Sequence, residues 1–221
     1  MADTATEGKH RLKITEVFRS LQGESLSAGL PTVFIRLTGC PLRCDYCDTA
    51  YAFTGGEWID IADIIKQVDA YATRHITVTG GEPLAQKSCL ELLTRLCDAG
   101  YIVSLETSGA LPIEDVDPRV SRVVDVKTPG SGEQDRNLAK NYQHLTGTDQ
   151  LKFVICDEVD YQWSRAFMAE NGLSDKCEIL FSPCWQQQDA TQLAEWILRD
   201  GLEVRMQLQL HKLLWGDKPG V

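Results

Sequence analysis

Three cysteines stand close together in Cys40-Pro41-Leu42-Arg43-Cys44-Asp45-Tyr46-Cys47. Thiolates are the usual protein ligands of iron–sulfur clusters, and this spacing gathers three of them in one tight loop. Their number is the informative part. A structural zinc ion or a simple electron-transfer cluster takes four protein ligands. The next candidates in the sequence, His75 and Cys89, are remote from the loop. Three ligands on a four-iron cube leave one iron free to hold a substrate or cofactor; a zinc ion with a distant fourth ligand is the competing reading. The other cysteines carry no such pattern. Cys89, Cys97, Cys156 and Cys177 read as small core residues and Cys184 as a free thiol.

Further polar groups fall just after apolar, β-branched runs. Thr79-Gly80-Gly81-Glu82-Pro83 follows Ile76–Thr79, where glycines let a backbone approach a ligand and a glutamate can accept from an ammonium group. Glu106-Thr107-Ser108-Gly109 follows the next run, Asp125-Val126-Lys127 ends the one after, and Ser182-Pro183 closes another. Taken singly, each could be a turn or cap residue, and Lys127 a solvated charge.

The runs themselves predict strands at Ile14–Phe18, Val33–Leu37, Ile76–Thr79, Ile102–Glu106, Val123–Lys127, Leu151–Ile155, Glu178–Phe181 and Val204–Leu208. Short and nearly continuous in apolar character, they read as strands covered on both faces. Helix-period segments alternate with them. Ile61, Ile64, Ile65 and Val68 make one face behind an Asp60 N-cap; Leu92, Leu93 and Leu96 make another, stopped by Gly100. Leu193, Ala194, Ile197 and Leu198 make a third, stopped by Gly201, with weaker helical patterns at 135–145 and 163–168. Such alternation means βα units, a mostly parallel sheet and an α/β fold of the partial-barrel kind. Right-handed connections put the carboxyl ends of the strands on one rim, so the polar groups after each strand should converge there.

With 221 residues the chain suits one domain, read as 12–221 with a C-terminal tail, after a polar, disordered segment 1–11. A formal charge of -10 argues against a nucleic-acid partner. No apolar stretch approaches the roughly 20 residues that span a bilayer, and Met1–Arg11 lacks a secretory pattern. Eight cysteines without a leader suggest reduced thiols in the cytoplasm.

The cysteine loop, Cys-x3-Cys-x-aromatic-Cys behind a core strand, resembles the signature of radical S-adenosylmethionine (SAM) enzymes. The resemblance implies a TIM-like partial barrel and a [4Fe–4S] cluster on Cys40, Cys44 and Cys47. It also implies SAM on the open iron, cleaved to a radical that takes hydrogen from the substrate. A narrower set is Leu21-Gln22-Gly23-Glu24, Phe34-Ile35-Arg36, Cys47-Asp48-Thr49, Thr79-Gly80-Gly81-Glu82-Pro83 and Glu106-Thr107-Ser108-Gly109. In order along nearly the whole chain, it is similar to the 7-carboxy-7-deazaguanine synthases.

That family contracts 6-carboxy-5,6,7,8-tetrahydropterin to 7-carboxy-7-deazaguanine with loss of ammonia, in 7-deazapurine (queuosine) biosynthesis, and uses Mg²⁺. By resemblance, Leu21, Gln22, Gly23, Glu24, Arg36 and Thr79 bind the pterin, with Glu24 and Arg36 as catalytic candidates. Arg36 offers its fork to the substrate carboxylate, and Thr49 is the Mg²⁺ ligand. Asp45, Tyr46, Cys47, Gly81, Glu82, Ser108, Asp125, Val126, Lys127 and Ser182 surround SAM. Implied partners are an external electron donor such as a flavodoxin and a second copy in a homodimer. One departure is Ser25, where many relatives have glycine; another is a chain that runs past His211-Lys212 to Val221, where some relatives bring a C-terminal carboxylate to the substrate. The alternative function is an activating enzyme that makes a glycyl radical on a partner protein.

Overall fold

A single sheet of nine strands organises the computed structural model, which describes residues 10–218 and 220–221. The strands are β1 (Arg11–Leu21), β2 (Pro31–Leu37), β3 (Glu57–Asp60), β4 (His75–Gly80), β5 (Ile102–Thr107), β6 (Ser121–Val126), β7 (Gln150–Ile155), β8 (Glu178–Pro183) and β9 (Arg205–Met206). Their order is β3-β1-β2-β4-β5-β6-β7-β8-β9. β1 runs antiparallel to both neighbours, and every other pairing is parallel. The parallel strands therefore present their carboxyl ends on one rim of an open α/β partial barrel. Among the described residues no helix is long and apolar enough to cross a membrane.

The strands differ from the continuous apolar runs expected of them in one respect that matters for function. Successive side chains of a strand point to opposite faces, and here the two faces have different chemistry. Ile35 and Leu37 of β2, Val78 of β4, Leu105 of β5, Val124 of β6 and Phe153 of β7 join the hydrophobic core. The alternate positions Arg36, Thr79, Glu106, Asp125 and Lys152 line a cavity inside the barrel. The core closes against helices α1 (Ile61–Asp69), α2 (Cys89–Asp98), α3 (Glu158–Asn171) and α4 (Ala190–Arg199). α1 contributes Ile61, Ile64 and Val68, and α2 contributes Leu92, Leu93 and Leu96, all fully buried. A short α5 (Leu210–Trp215) lies near the C-terminus.

Several local expectations need correction. Asp60 occupies the N-cap position of α1, but its side chain makes no capping bond and pairs with Arg11 at 3.5 Å instead. The segment 135–145 forms two short 3-10 turns rather than an α-helix. Its asparagines bond to backbone elsewhere, in competition with a helical ladder. Asn137 accepts from the Lys127 N–H at 2.8 Å and donates to its carbonyl at 2.8 Å, while buried Asn141 donates to Gly109 and Leu111. β6 stops at Val126, so Lys127 stands just beyond it, fixed by Asn137. β3 went unrecognised because its four residues carry no apolar alternation and Trp58 is exposed. β9 is reduced to Arg205–Met206. Residues 1–9, most of the segment expected to be disordered, lie outside the described residues; Arg11 pairs with Asp60 of β3.

At the amino-end rim, Arg122 donates to Asp149 through Nε at 2.9 Å, and the same carboxylate accepts from Thr146 N–H at 2.8 Å. Asp149 is fully buried. Asp149→Ala strands the Arg122 guanidinium without its charge partner, which costs about 3–5 kcal/mol. A shift in the chemical denaturation midpoint corresponding to less than about 1 kcal/mol would contradict that reading.

Candidate active site

The segment after β1 turns inward and plugs the barrel, held by side chains from distant strands. Gln22 Nε2 donates to Thr77 Oγ1 at 3.0 Å and to Glu106 Oε1 at 3.2 Å. Thr79 Oγ1 donates to Glu106 Oε2 at 3.0 Å. The Ser25 N–H donates to Gln207 Oε1 at 2.9 Å, and the Leu26 N–H to Gln150 Oε1 at 2.7 Å. Ser25 sits at φ +67°, the left-handed region that suits glycine. Gly23 packs so tightly that an added Cβ would lie 2.1 Å from His211 Nδ1.

Behind this plug lies a ladder of buried charges. Glu24 Oε2 accepts from Lys152 Nζ at 2.8 Å, Lys152 also meets Asp125 at 3.2 Å, and Lys127 meets Asp125 at 2.8 Å. Burial opposes the charge on Glu24, but Lys152 outweighs it and holds the carboxyl below its ordinary value. Asp125 is likewise pushed up by burial and brought below its ordinary value by Lys127 and Lys152. Glu106 has no direct ammonium partner of this kind, and burial drives its carboxyl above the usual range. The second oxygen of Glu24 is buried with no hydrogen-bond partner among the described residues. The Tyr46 hydroxyl is orphaned in the same way.

Across a cavity of about 430 Å³ stand Cys40, Cys44 and Cys47. Burial pushes the Cys40 and Cys44 thiols up, and each is pushed further by the neighbouring cysteines. Cys40 and Cys44, which disfavour bare thiolates, stand with Cys47 in one loop that suits a cationic iron centre able to supply the missing positive charge. The remote ligand candidates do not join them: His75 begins β4 at the opposite rim, and Cys89 is fully buried in the α2 core. Among the described residues no three His, Cys, Asp or Glu side chains converge tightly enough to hold one metal ion. Thr49 Oγ1 lies 3.8 Å from Cys47 Sγ on the cavity wall.

Glycine lets the β4–α2 turn back directly onto this loop. The Glu82 N–H donates to the Gly39 carbonyl at 2.8 Å, and a Cβ on Gly81 would lie 2.2 Å from that oxygen and 2.8 Å from Cys40 Cβ. Gly81→Ala must displace the cysteine loop, at a cost of about 1–3 kcal/mol. Iron per chain after anaerobic reconstitution is expected to fall by at least about half. Gly147→Ala, whose methyl would meet nothing within 4 Å, is the control expected to load fully.

Of the residues singled out in the sequence, Leu21, Gln22, Gly23, Glu24, Arg36, Thr49 and Thr79 reach the cavity wall. So do Tyr46, Cys47, Gly81, Ser108, Asp125 and Lys127. Four do not. Asp45 is exposed on the outside of the loop; Val126 points into the hydrophobic core by strand alternation; Ser182 is buried off the wall. Glu82 is fully buried, and its carboxylate is already taken by Leu84 N–H at 2.9 Å, Thr107 Oγ1 at 2.9 Å and Ser108 N–H at 2.7 Å. These bonds brace the turn. Arg36 Nε donates to Glu16 at 2.7 Å, which also accepts from Tyr51.

Lys152 lines the cavity without having been singled out in the sequence, and Glu106, noted there only as the start of the motif after β5, lines it too. The available signal was a lysine between Leu151 and Phe153 in an otherwise apolar strand. Cys156, read as a small core residue, and Cys184, read as a free thiol, hydrogen-bond to one another, which pushes Cys156 up and Cys184 down.

The radical SAM superfamily profile matches residues 34–119. The 7-carboxy-7-deazaguanine synthase of Chlorobaculum tepidum is 45% identical over 95% of this chain and 97% of its own. That of Koribacter versatilis is 41% identical over 92% of this chain and 97% of its own. Among solved structures, QueE from Escherichia coli superposes with a TM-score of 0.73 at 24% identity, covering 91% of this chain and 95% of that one. Streptococcus suis SuiB bound to S-adenosylmethionine reaches a TM-score of 0.54 at 12% identity, over 77% of this chain and 45% of that one.

Proposed function

The chain belongs to the 7-carboxy-7-deazaguanine synthase family of radical SAM enzymes, and on that premise we propose how its cavity runs the family's ring contraction. The reaction is that of a lyase in 7-deazapurine biosynthesis. 6-Carboxy-5,6,7,8-tetrahydropterin becomes 7-carboxy-7-deazaguanine, and one nitrogen leaves as ammonia. When bound, a [4Fe–4S] cluster with SAM supplies the one-electron chemistry that removes hydrogen from the substrate. Cys40, Cys44 and Cys47 would hold the cluster, and Tyr46, Gly81, Ser108, Asp125 and Lys127 would line the SAM side.

The observation that carries the substrate reading is Glu24. Glu24 lines the cavity; one oxygen is bound by Lys152 at 2.8 Å, and the other is buried without a donor among the described residues. A buried acceptor left empty is costly, and the amino-amide edge of a pterin supplies the N–H groups that would fill it. Gln22, tied to Thr77 and Glu106, sets the floor on which the ring rests, and Thr79 touches the substrate beside it. Arg36, fixed at Nε by Glu16, offers charge to the substrate carboxylate. The Thr49 hydroxyl is a hard-oxygen ligand for Mg²⁺, with substrate oxygens and waters completing its shell.

The proposal includes a one-electron donor such as a flavodoxin, a homodimeric state and one catalytic domain spanning 12–221. The relatives matched over nearly the whole chain carry the synthase name, which favours this reading over an activating enzyme for a partner protein. The deciding experiment is anaerobic turnover of the carboxytetrahydropterin with SAM and reductant, with and without added Mg²⁺. 7-Carboxy-7-deazaguanine is expected, and faster with Mg²⁺. No such product from fully iron-loaded protein would refute the reading.

A further inference from the structure

Lys152 is the one charged side chain placed in the middle of β7, between the core residues Leu151 and Phe153. Its side chain is 10% exposed, and taking an ammonium that far out of water costs several kcal/mol unless it is paired. It is paired twice, with Glu24 at 2.8 Å from the plug and with Asp125 at 3.2 Å from β6. Asp125 has a second cation in Lys127. Glu24 does not: among the described residues Lys152 is the only cation within ion-pair distance of it. Without Lys152, Glu24 would face the like charge of Asp125 with nothing to orient it.

We propose that Lys152 is a positioning residue for substrate recognition, clamping one oxygen of Glu24 so that the other is presented to the pterin edge. This rests on the pterin pocket proposed above. The geometry makes Lys152 act through Glu24, and that has two measurable consequences. First, once Glu24 is neutral, Lys152 should matter little. Second, Lys152 determines whether Glu24 keeps its charge. Burial alone raises the Glu24 carboxyl and Lys152 lowers it. With Lys152 gone, Glu24 takes up a proton at higher pH than in the parent, so substrate affinity is lost sooner as pH falls. The other charged groups facing this pair are Asp125 and Lys127 at the end of β6, Glu106 from β5 and His211 from α5. Arg36 acts from β2 on Glu106.

The test compares Glu24→Gln, Lys152→Gln and the double variant, each reconstituted anaerobically and matched for iron per chain. Lys152→Gln is expected to raise the pterin KM by roughly tenfold or more, and the ratio of its KM to the parent's should grow as pH is lowered. The double variant, which carries no unpaired charge at this point and so guards against a folding failure of the single one, should have a pterin KM within about threefold of Glu24→Gln alone. A KM ratio flat with pH, or a double variant about tenfold worse than Glu24→Gln, would overturn the inference while leaving the pocket intact. An unchanged pterin KM in Glu24→Gln would instead remove the pocket reading, and this inference with it.

Discussion

Alanine at any one of Cys40, Cys44 or Cys47 is expected to leave the protein without a stable cluster and with turnover reduced at least about a thousandfold. Ligand number sets this outcome. A four-iron cube held at three corners has no spare ligand within the loop, and the next candidates along the sequence, His75 and Cys89, lie at the far rim and inside the core. Burial also means that a two-cysteine loop would surround the iron with too little negative charge. Iron and sulfide analysis, the visible absorption spectrum and SAM cleavage under reducing conditions each report on the outcome. Cys97→Ala provides the contrast, because Cys97 packs at the edge of α2 and touches none of the loop; it should load and turn over like the parent. Retained SAM cleavage in any of the first three variants would refute the ligand assignment.

Glu24→Gln is expected to raise the pterin KM roughly tenfold to a hundredfold while leaving iron content and the cluster spectrum unchanged. The substitution keeps the shape of the side chain but exchanges an acceptor for a donor at one of its two positions. If the amide nitrogen faces the cavity, it meets the N–H edge of the substrate head-on. If it faces inward, it meets the Lys152 ammonium, another donor. Neither orientation satisfies both sides. Because Glu24 and Lys152 are both buried, the loss is that of a charge-assisted hydrogen bond in low dielectric rather than a solvent-screened contact. Altered iron content would mean that Glu24 supports the fold and not the ligand.

The two variants probe regions that were unequally visible in the sequence. The cysteine loop could be read directly because all three ligands fall within eight consecutive residues, Cys40 to Cys47, and local spacing suffices to bring them together. The strands behind it were legible for a related reason: burial of one strand face demands β-branched and apolar residues, and those runs mark Val33–Leu37 or Leu151–Ile155 without any knowledge of pairing. What the runs concealed was the second face. Arg36, Thr79, Glu106, Asp125 and Lys152 interrupt apolar segments at alternate positions, and only the curved sheet turns those positions toward a common interior. Glu82 is the opposite case. Its place in the Gly-Gly-Glu-Pro turn suggests a contact to SAM, and the tertiary structure adds what spacing does not show, that Thr107, Ser108 and Leu84 all donate to its carboxylate.

From its sequence alone, then, this protein had its cluster loop, its α/β alternation and its family motifs determined, since each depends on residues only a few positions apart. The tertiary structure decided the rest. It chose which motif residues face the cavity, set Cys156 beside Cys184, and joined Glu24 to Lys152 across 128 residues of chain. A charge pair of that separation follows from the register of β6 against β7 and from the path of the plug after β1, and no local spacing encodes either one.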